Sequence, residues 1–247
     1  YGAEKEIRDV LATEKVNPEF SITPQYWVEN SEVEKRLEEK SWERGWLAGW
    51  RDITNATNER TVIATVIPKS AVSNSMPLML FEPDISVDRV GALIANLNSL
   101  VFDYVARHKV GGNHLNFFIY KQLPVLKPSS YTKGNLDFIV PRVLELTYTA
   151  HDLVSWASDL GFTGQPFVFD LDRRSIIRAE LDAYFAKLYG LSRDDLMFIL
   201  DPADLLGDDY PSETYRVLKN NELREFGEYR TQRLVLEAWD RLEKGLH

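Results

Sequence analysis

The chain has 247 residues, of which 44% are hydrophobic and 12% aromatic, so it can bury one large core or two modest ones. It contains no cysteine, which excludes a disulfide framework, a thiolate zinc site and a cysteine nucleophile, and it has no apolar run of transmembrane length, so we expect a soluble protein of the reducing cytoplasm. Its formal net charge of −9 argues against a phosphate-binding surface that covers the whole chain.

The N-terminal segment, residues 1–41, is predicted to consist of short helices and linker. Residues 4–11 and the charged run 31–40 have helical composition, and Ser31 followed by Glu34 is the pattern of a capping box at the start of the second helix. Residues 17–27, between the two, predict a loop or a short strand.

Residues 42–127 predict a domain that mixes strands and helix. Bulky and small residues alternate at 45–53, and the β-branched run 61–68 ends at Pro68, so both stretches predict strands. A third strand is predicted at 77–81. Apolar residues at helical spacing predict a helix over 87–105, and residues 115–123 predict a final strand.

Residues 128–247 change in character and predict a mainly helical region. After a linker-like stretch at 128–134, helices are predicted at 137–160, 171–189, 192–200, 212–220 and 229–244. The whole chain therefore predicts an α+β fold, in which a mixed strand and helix domain is followed by helices.

Charge is distributed unevenly along the chain. Residues 51–133 carry nine Lys or Arg and six Asp or Glu, a net charge of +3, which leaves a net charge of −12 for the rest. A mildly basic middle could hold DNA while the acidic flanks support the fold. Simple solvation explains acidic helices equally well.

The residue patterns of several catalytic sites are missing. An enzyme that methylates an exocyclic amine needs a glycine-rich cofactor loop and an Asn or Asp followed by Pro-Pro and an aromatic residue, and the sequence has neither. Pro83-Asp84 lacks the later Glu-x-Lys of a magnesium nuclease, and there is no phosphate loop or nucleophile elbow. We therefore predict no catalytic, cofactor-binding or metal-binding residue in this chain. A hydrolase built on His151 and nearby acids is a weaker alternative.

The segment 107–124 combines basic side chains, the glycine pair Gly111-Gly112, polar residues and a predicted strand. Asn and His can bond to base edges, Arg and Lys suit phosphates or guanine, and glycines let the backbone approach a bulky ligand. This grouping is typical of a nucleic-acid reader. A tight turn that enters an ordinary core strand is the other interpretation.

Several blocks in one order resemble a known family. They are residues 51–53 and 57–64, the run Lys-Val-Gly-Gly-Asn-His-Leu-Asn-Phe-Phe at 109–118 with Gln-Leu-Pro at 122–124, residues 178–184 with 188–191, and Gly-Glu-Tyr-Arg-Thr at 227–231. From about Trp42 onward the chain resembles the C-terminal target-recognition region of bacterial type II (type IIG-like) restriction-modification proteins, which are adenine-specific DNA methyltransferases.

The resemblance implies that this chain is part of a DNA methyltransferase of bacterial defence. The part would have no catalytic centre of its own and would select the DNA sequence. Double-stranded DNA and the methylase domain of the same parent protein would be its partners, and S-adenosylmethionine would bind to that methylase domain. Residue chemistry then favours two segments as DNA-binding, the first at 69–75 and the second at 107–114. The candidate DNA-binding residues are Lys69, Asn74, Ser75, Arg107, Lys109, Asn113 and His114.

A second function class stays open. The acidic helical half could dock a protein partner, in which case the chain is an interaction scaffold and the basic middle is incidental. The two classes differ in a measurable property, because only the first requires salt-sensitive binding to duplex DNA.

Overall fold

The computed structural model describes residues 8–24, 26–207, 209–210 and 214–246. Within these residues there are three strands: β1 (Trp46–Trp50), β2 (Ala64–Pro68) and β3 (Leu78–Met79). The α-helices of the described residues are α1 (Ala12–Lys15), α2 (Asn30–Glu38), α3 (Val87–Asn98), α4 (Leu100–Lys109), α5 (Phe117–Tyr120), α6 (Lys133–Thr147), α7 (Val154–Asp159), α8 (Leu171–Leu188), α9 (Arg193–Leu200), α10 (Ala203–Leu206), α11 (Arg216–Phe226) and α12 (Arg230–Glu243). Two short 3-10 helices lie at Pro128–Ser130 and His151–Leu153. The fold is α+β, as the sequence predicts.

The sheet is small and antiparallel, with β1 between β2 and β3. All five residues of β1 are buried, which explains why bulky and small residues alternate there without a polar face. Gly49 is required because a Cβ at this position would lie 2.5 Å from the carbonyl oxygen of Pro77, the residue before β3. The predicted strands 45–53, 61–68 and 77–81 thus each contain an observed strand.

The first hydrophobic core surrounds Trp46, which is fully buried. The indole rings of Trp42 and Trp156 pack edge-on against it, with centroids 5.2 and 4.8 Å away, and its Nε1 donates to Asp159 at 2.8 Å. Because Trp156 belongs to α7, this core draws side chains from both sides of the domain boundary predicted at 127/128.

A second core lies among α4, α8, α9, α11 and α12. Helix α8 contributes to both cores: Ile177, Leu181 and Phe185 face the first, while Ala179 and Ala183 face the second. A helix that is apolar on two sides has to lie inside the protein, and α8 packs against α4, α6 and α12.

Three predicted helices differ from the observed ones in length. The helix predicted over 87–105 is two helices, because Ser99 is extended and its side chain caps α4 by accepting from the backbone N–H of Phe102. The helix predicted over 137–160 begins earlier, at Lys133, and ends at Thr147 before α7. The predicted helix 212–220 overlaps the start of α11, which runs from Arg216 to Phe226; residues 212–213 lie outside the described residues.

The predicted strand at 115–123 is wrong. Asn116 accepts a hydrogen bond from the backbone N–H of Ile119 and thereby begins the helical turn α5, and the only strand-like pairing nearby in the described residues is a bridge between Ile53 and His114. A local side-chain cap therefore overrides the β-propensity of the aromatic residues that follow.

The predictions for the N-terminal segment also need correction. Helix α2 begins at Asn30 after Glu29, which makes no side-chain cap bond, so the predicted capping box at Ser31 and Glu34 is wrong. Glu34 instead pairs with Lys69. Of the predicted helix 4–11, residues 4–7 lie outside the described residues and residues 8–11 are not helical; α1 follows them. Apart from residue 25, which is not described, residues 17–27 contain no helix or strand.

A buried ion pair on α4 holds the loop between β1 and β2. Asp103 accepts the backbone N–H groups of Thr61 and Val62 at 2.7 Å each and the Nε of Arg107 at 2.6 Å. The two Nη atoms of Arg107 donate to four carbonyl oxygens, those of Ala56, Asn58, Glu59 and Thr214. All five donors of the guanidinium group are therefore satisfied inside the protein.

We expect Arg107→Ala to lower the free energy of unfolding by about 3–5 kcal/mol, because it leaves the Asp103 carboxylate buried without its cation. Lys109→Ala, two residues away on the exposed end of the same helix, should change it by roughly 0.5 kcal/mol or less. Urea unfolding followed by tryptophan fluorescence measures both. Equal losses in the two variants would contradict a structural role that is specific to Arg107.

Candidate nucleic-acid interface

Two loops flank the chain where it leaves β1. The backbone N–H of Asp52 donates to the carbonyl oxygen of Ser75 at 2.9 Å, and the backbone N–H of Leu115 donates to the carbonyl oxygen of Asp52 at 2.7 Å. On the same side as Leu115, the backbone N–H of Thr54 donates to the carbonyl oxygen of Asn113 at 3.0 Å. We call residues 51–55, 73–75 and 109–121 together the β1-end surface.

The β1-end surface contains five of the seven residues predicted from the sequence to bind DNA. Asn74, Lys109, Asn113 and His114 are exposed, and Ser75 is half-buried beside Asp52. Asn74 and Asn113 are 39 positions apart in the sequence and lie on loops that bond to the two sides of the same residue. The chain just after β1 therefore brings together the two segments that the sequence predicts to bind DNA.

Local hydrogen bonds orient the polar side chains of this surface. The Nδ1 of His114, whose side chain is 62% exposed, lies 2.6 Å from an oxygen of the nearly buried Asp52 carboxylate. The Asn113 side chain accepts a hydrogen bond from the side-chain amide of Asn55 at 2.8 Å. These bonds fix the direction of both side chains and leave their outer polar atoms facing solvent.

Lys69 and Arg107, the other two predicted residues, do not join this surface. Lys69 lies at the opposite end of β1, where its backbone N–H donates to Gly45 and its Nζ lies 2.8 Å from Glu34 of α2. Arg107 is buried, and its guanidinium group also lies 4.4 Å from the ring centroid of Tyr215. With all of its donors used within the protein, Arg107 has none left for a phosphate or a base.

The exposed apolar residues of the β1-end surface are not evident from the sequence pattern. Helix α5 is anchored by Trp50, on which Tyr120 stacks at 3.9 Å and Phe117 packs edge-on at 4.9 Å. Phe118 consequently points outward and is 77% exposed, and Ile53 is 57% exposed. The N-cap Asn116 before an aromatic run is the signal that could have revealed this turn.

Trp50 and Tyr120 also have polar atoms that find partners inside. The Nε1 of Trp50 donates to the carbonyl oxygen of Leu115 at 2.7 Å, and the Tyr120 hydroxyl donates to the sulfur of Met79 at 3.0 Å. Burial raises the pKa of Tyr120 well above its ordinary value, so this hydroxyl stays neutral near pH 7. Trp50 and Tyr120, which pack beneath the exposed aromatic residues, therefore have hydrogen-bond partners for their polar atoms.

The charge of the β1-end surface is positive. It contains the cations Arg51, Lys109 and Lys121, against the single carboxylate of Asp52. Lys121 lies 5.9 Å from the ring centroid of Phe117, close enough for a weak cation–π contact. Cations, amides and exposed aromatic rings on one surface match the groups that contact phosphates, base edges and base faces.

Gly111 and Gly112 are not needed for the local backbone. Neither has a positive φ angle, and a Cβ added to either would meet no atom within 4 Å. Both glycines are exposed, so the backbone of this loop is open to a ligand.

The described residues contain no group of three or more His, Cys, Asp or Glu side chains that could hold a metal ion. Among the described helices, none combines the length and the apolar character needed to cross a membrane. Comparison with protein-family models, with curated proteins and with solved structures found no match to this chain. A functional assignment therefore depends on the residues and their geometry.

We expect Gly112→Ala to leave the free energy of unfolding unchanged or to raise it by less than about 1 kcal/mol, because the added methyl group meets open space and restricts the unfolded chain. Gly49→Ala is the matched comparison and should destabilise, since its methyl group would collide with the Pro77 carbonyl. Thermal unfolding of the two variants measures the sign of each change in stability. Destabilisation by Gly112→Ala would mean that the loop needs glycine for its own fold.

Proposed function

We propose that this chain is the DNA-recognition part of a bacterial restriction-modification adenine methyltransferase and that the β1-end surface contacts duplex DNA. The observation that carries the proposal is the convergence of the 73–75 and 113–115 loops on Asp52, because a reader of base pairs needs polar side chains from separate segments on one exposed surface. The sequence resemblance supports the same class.

Each group on the surface has a role that fits its chemistry. Lys109 and Lys121 suit phosphate oxygens, which position a protein on DNA without reading its sequence. Asn74 and Asn113 can pair with the N6 and N7 atoms of adenine in the major groove, and Phe118 can contact a thymine methyl group. Arg107 and Lys69 have no part in this proposal, because the first is buried and the second is paired with Glu34 at the far end of the sheet.

In this proposal the chain recognises DNA and catalyses no reaction. The methyl transfer, with S-adenosylmethionine as donor, belongs to a methylase domain of the parent protein, which is also the proposed protein partner. What this chain does is bind the duplex so that the target adenine lies within reach of that domain.

The first test is the salt dependence of DNA binding. We expect fluorescence anisotropy with a randomised duplex pool to show binding on the order of micromolar or weaker that decreases as salt is raised. Lys109→Glu and Lys121→Glu should each weaken binding and lower the salt slope by about one unit, because each removes a phosphate contact. Lys244→Glu, an equal charge change just after α12, is the matched control and should retain the slope.

The outcome also separates the proposal from the scaffold alternative. If the wild-type chain shows no binding even at low salt, or if Lys244→Glu loses as much as Lys109→Glu, then the β1-end surface is not a DNA contact. In that case docking of a protein partner through the acidic helices becomes the better explanation of the charge distribution.

Base reading needs a second measurement. Selection of preferred sequences from the same pool should yield a consensus, and Asn113→Ala should relax one position of it at a cost of about 1–3 kcal/mol in binding free energy. Gln165→Ala, which removes an exposed amide on the loop after α7, is the control and should leave the consensus unchanged. An unaltered consensus in Asn113→Ala would remove Asn113 from the reading residues.

A further inference from the structure

A cavity of about 320 Å³ lies between β2, α3, α6 and α8, apart from the β1-end surface. Its apolar walls include Ile94, Leu146 and Leu181, and its polar side is formed by arginines 60, 174 and 178. A space of this volume, lined mainly by apolar side chains with a few polar groups on one side, is typical of a small-molecule site.

One of the three arginines is neutralised and two are not. Arg60 lies 3.0 Å from a carboxylate oxygen of the buried Asp182. Among the residues that the structure describes, no carboxylate lies within ion-pair distance of Arg174 or Arg178. The cavity therefore has a surplus of about two positive charges.

Arg174 is held in place but incompletely satisfied. Its Nη1 donates to the carbonyl oxygen of Leu146 at 2.8 Å, and its guanidinium carbon lies 4.5 Å from the ring centroid of Phe169. Its Nε is buried and, within the described part of the chain, has no hydrogen-bond partner. A buried donor without an acceptor is unfavourable, and a ligand oxygen would satisfy it.

Arg178 lies one helical turn after Arg174 and on the same face of α8. It is exposed to solvent and also borders a second cavity of about 170 Å³ beside α11. Four carboxylates border that second cavity, those of Glu59, Asp182, Glu222 and Glu225. Asn221 donates to Glu59, Thr231 donates to Glu222, and Asp182 pairs with Arg60. Among the described residues none of these four carboxylates forms an ion pair with Arg178, which also lines the first cavity.

The titration behaviour agrees with this geometry. Burial, and then the like charge of Arg178, lowers the pKa of Arg174 to about 10, and burial followed by the charge of Arg60 lowers the pKa of Arg178. Both groups stay protonated near neutral pH. Both shifts have the direction that burial of a cation produces, and the opposing effects of Glu145 on Arg174 and of Asp182 on Arg178 are smaller.

We propose that this cavity binds a small phosphate monoester that carries an apolar group. A phosphate monoester has a charge of about −1.5 to −2 near pH 7, which matches two unpaired guanidinium groups, whereas a carboxylate or a phosphodiester of DNA has only one charge. Arginine binds phosphate oxygens through paired hydrogen bonds. The apolar walls account for the remaining volume.

The test uses the full chain and three probes: phenyl phosphate, inorganic phosphate and phenol. Isothermal titration calorimetry should show phenyl phosphate binding more tightly than inorganic phosphate and phenol not binding, because the site recognises both the anion and an apolar body. Arg178→Gln should weaken phenyl phosphate binding roughly tenfold or more, as loss of charge-assisted hydrogen bonds predicts.

Arg173→Gln is the matched control. Arg173 precedes Arg174 on the same helix but faces outward, where it makes two hydrogen bonds to Glu145, and its side chain is 51% exposed. Binding of phenyl phosphate to this variant should stay within roughly twofold of the wild type. Arg174→Gln is a further variant, and circular dichroism establishes that each protein is folded before titration.

Three outcomes would overturn the proposal. They are the absence of phenyl phosphate binding at millimolar concentration, equal weakening by Arg173→Gln and Arg178→Gln, and a loss of duplex DNA binding in Arg178→Gln without any binding of phenyl phosphate. The last would show that the arginines contact a DNA backbone phosphate. Phenyl phosphate binding that requires Arg178 supports the cavity site whether or not the β1-end surface binds DNA.

Discussion

The buried carboxylate of Asp103 determines where the loop between β1 and β2 lies. It accepts two backbone N–H groups of that loop and the Nε of Arg107, whose remaining donors hold four carbonyl oxygens. A buried ion pair is stable only when its other hydrogen-bonding groups are also satisfied, and here they are. Because these bonds fix the loop, they also fix the path of the backbone after β1.

The first residues after β1, residues 51–55, belong to the β1-end surface. Thr54 donates its hydroxyl to the carbonyl oxygen of Thr61, and the backbone N–H of Arg51 donates to Ile63, so the segment after β1 is tied to the segment that Asp103 holds. The opposite side of the same loop is tied to α8, since Arg60 pairs with Asp182. Asp182 also accepts the first backbone N–H of α4, so one loop connects both hydrophobic cores.

The sequence predicts the parts of this fold that depend on local pattern. Strand β1 is predicted by the alternation of bulky and small residues at 45–53, and helix α8 by the helix signals of 171–189. The turn at Asn116 was missed because its aromatic residues favour strands, while a single side-chain cap and the packing on Trp50 decide the outcome. Likewise the pair of Lys69 with Glu34 joins residues 35 positions apart, and no local pattern indicates such a contact.

Arg107 and Lys109 show why the candidate site was only partly predictable. Both belong to the same basic segment, and residue chemistry assigns both to DNA. Two positions along an α-helix correspond to a rotation of about 200°, so the two side chains leave α4 in nearly opposite directions. Asp103, one turn before Arg107, faces the core and holds it there, while Lys109 faces solvent. Sequence gives the type of a side chain, but the direction of the helix face decides whether its charge stabilises the fold or remains available to a ligand.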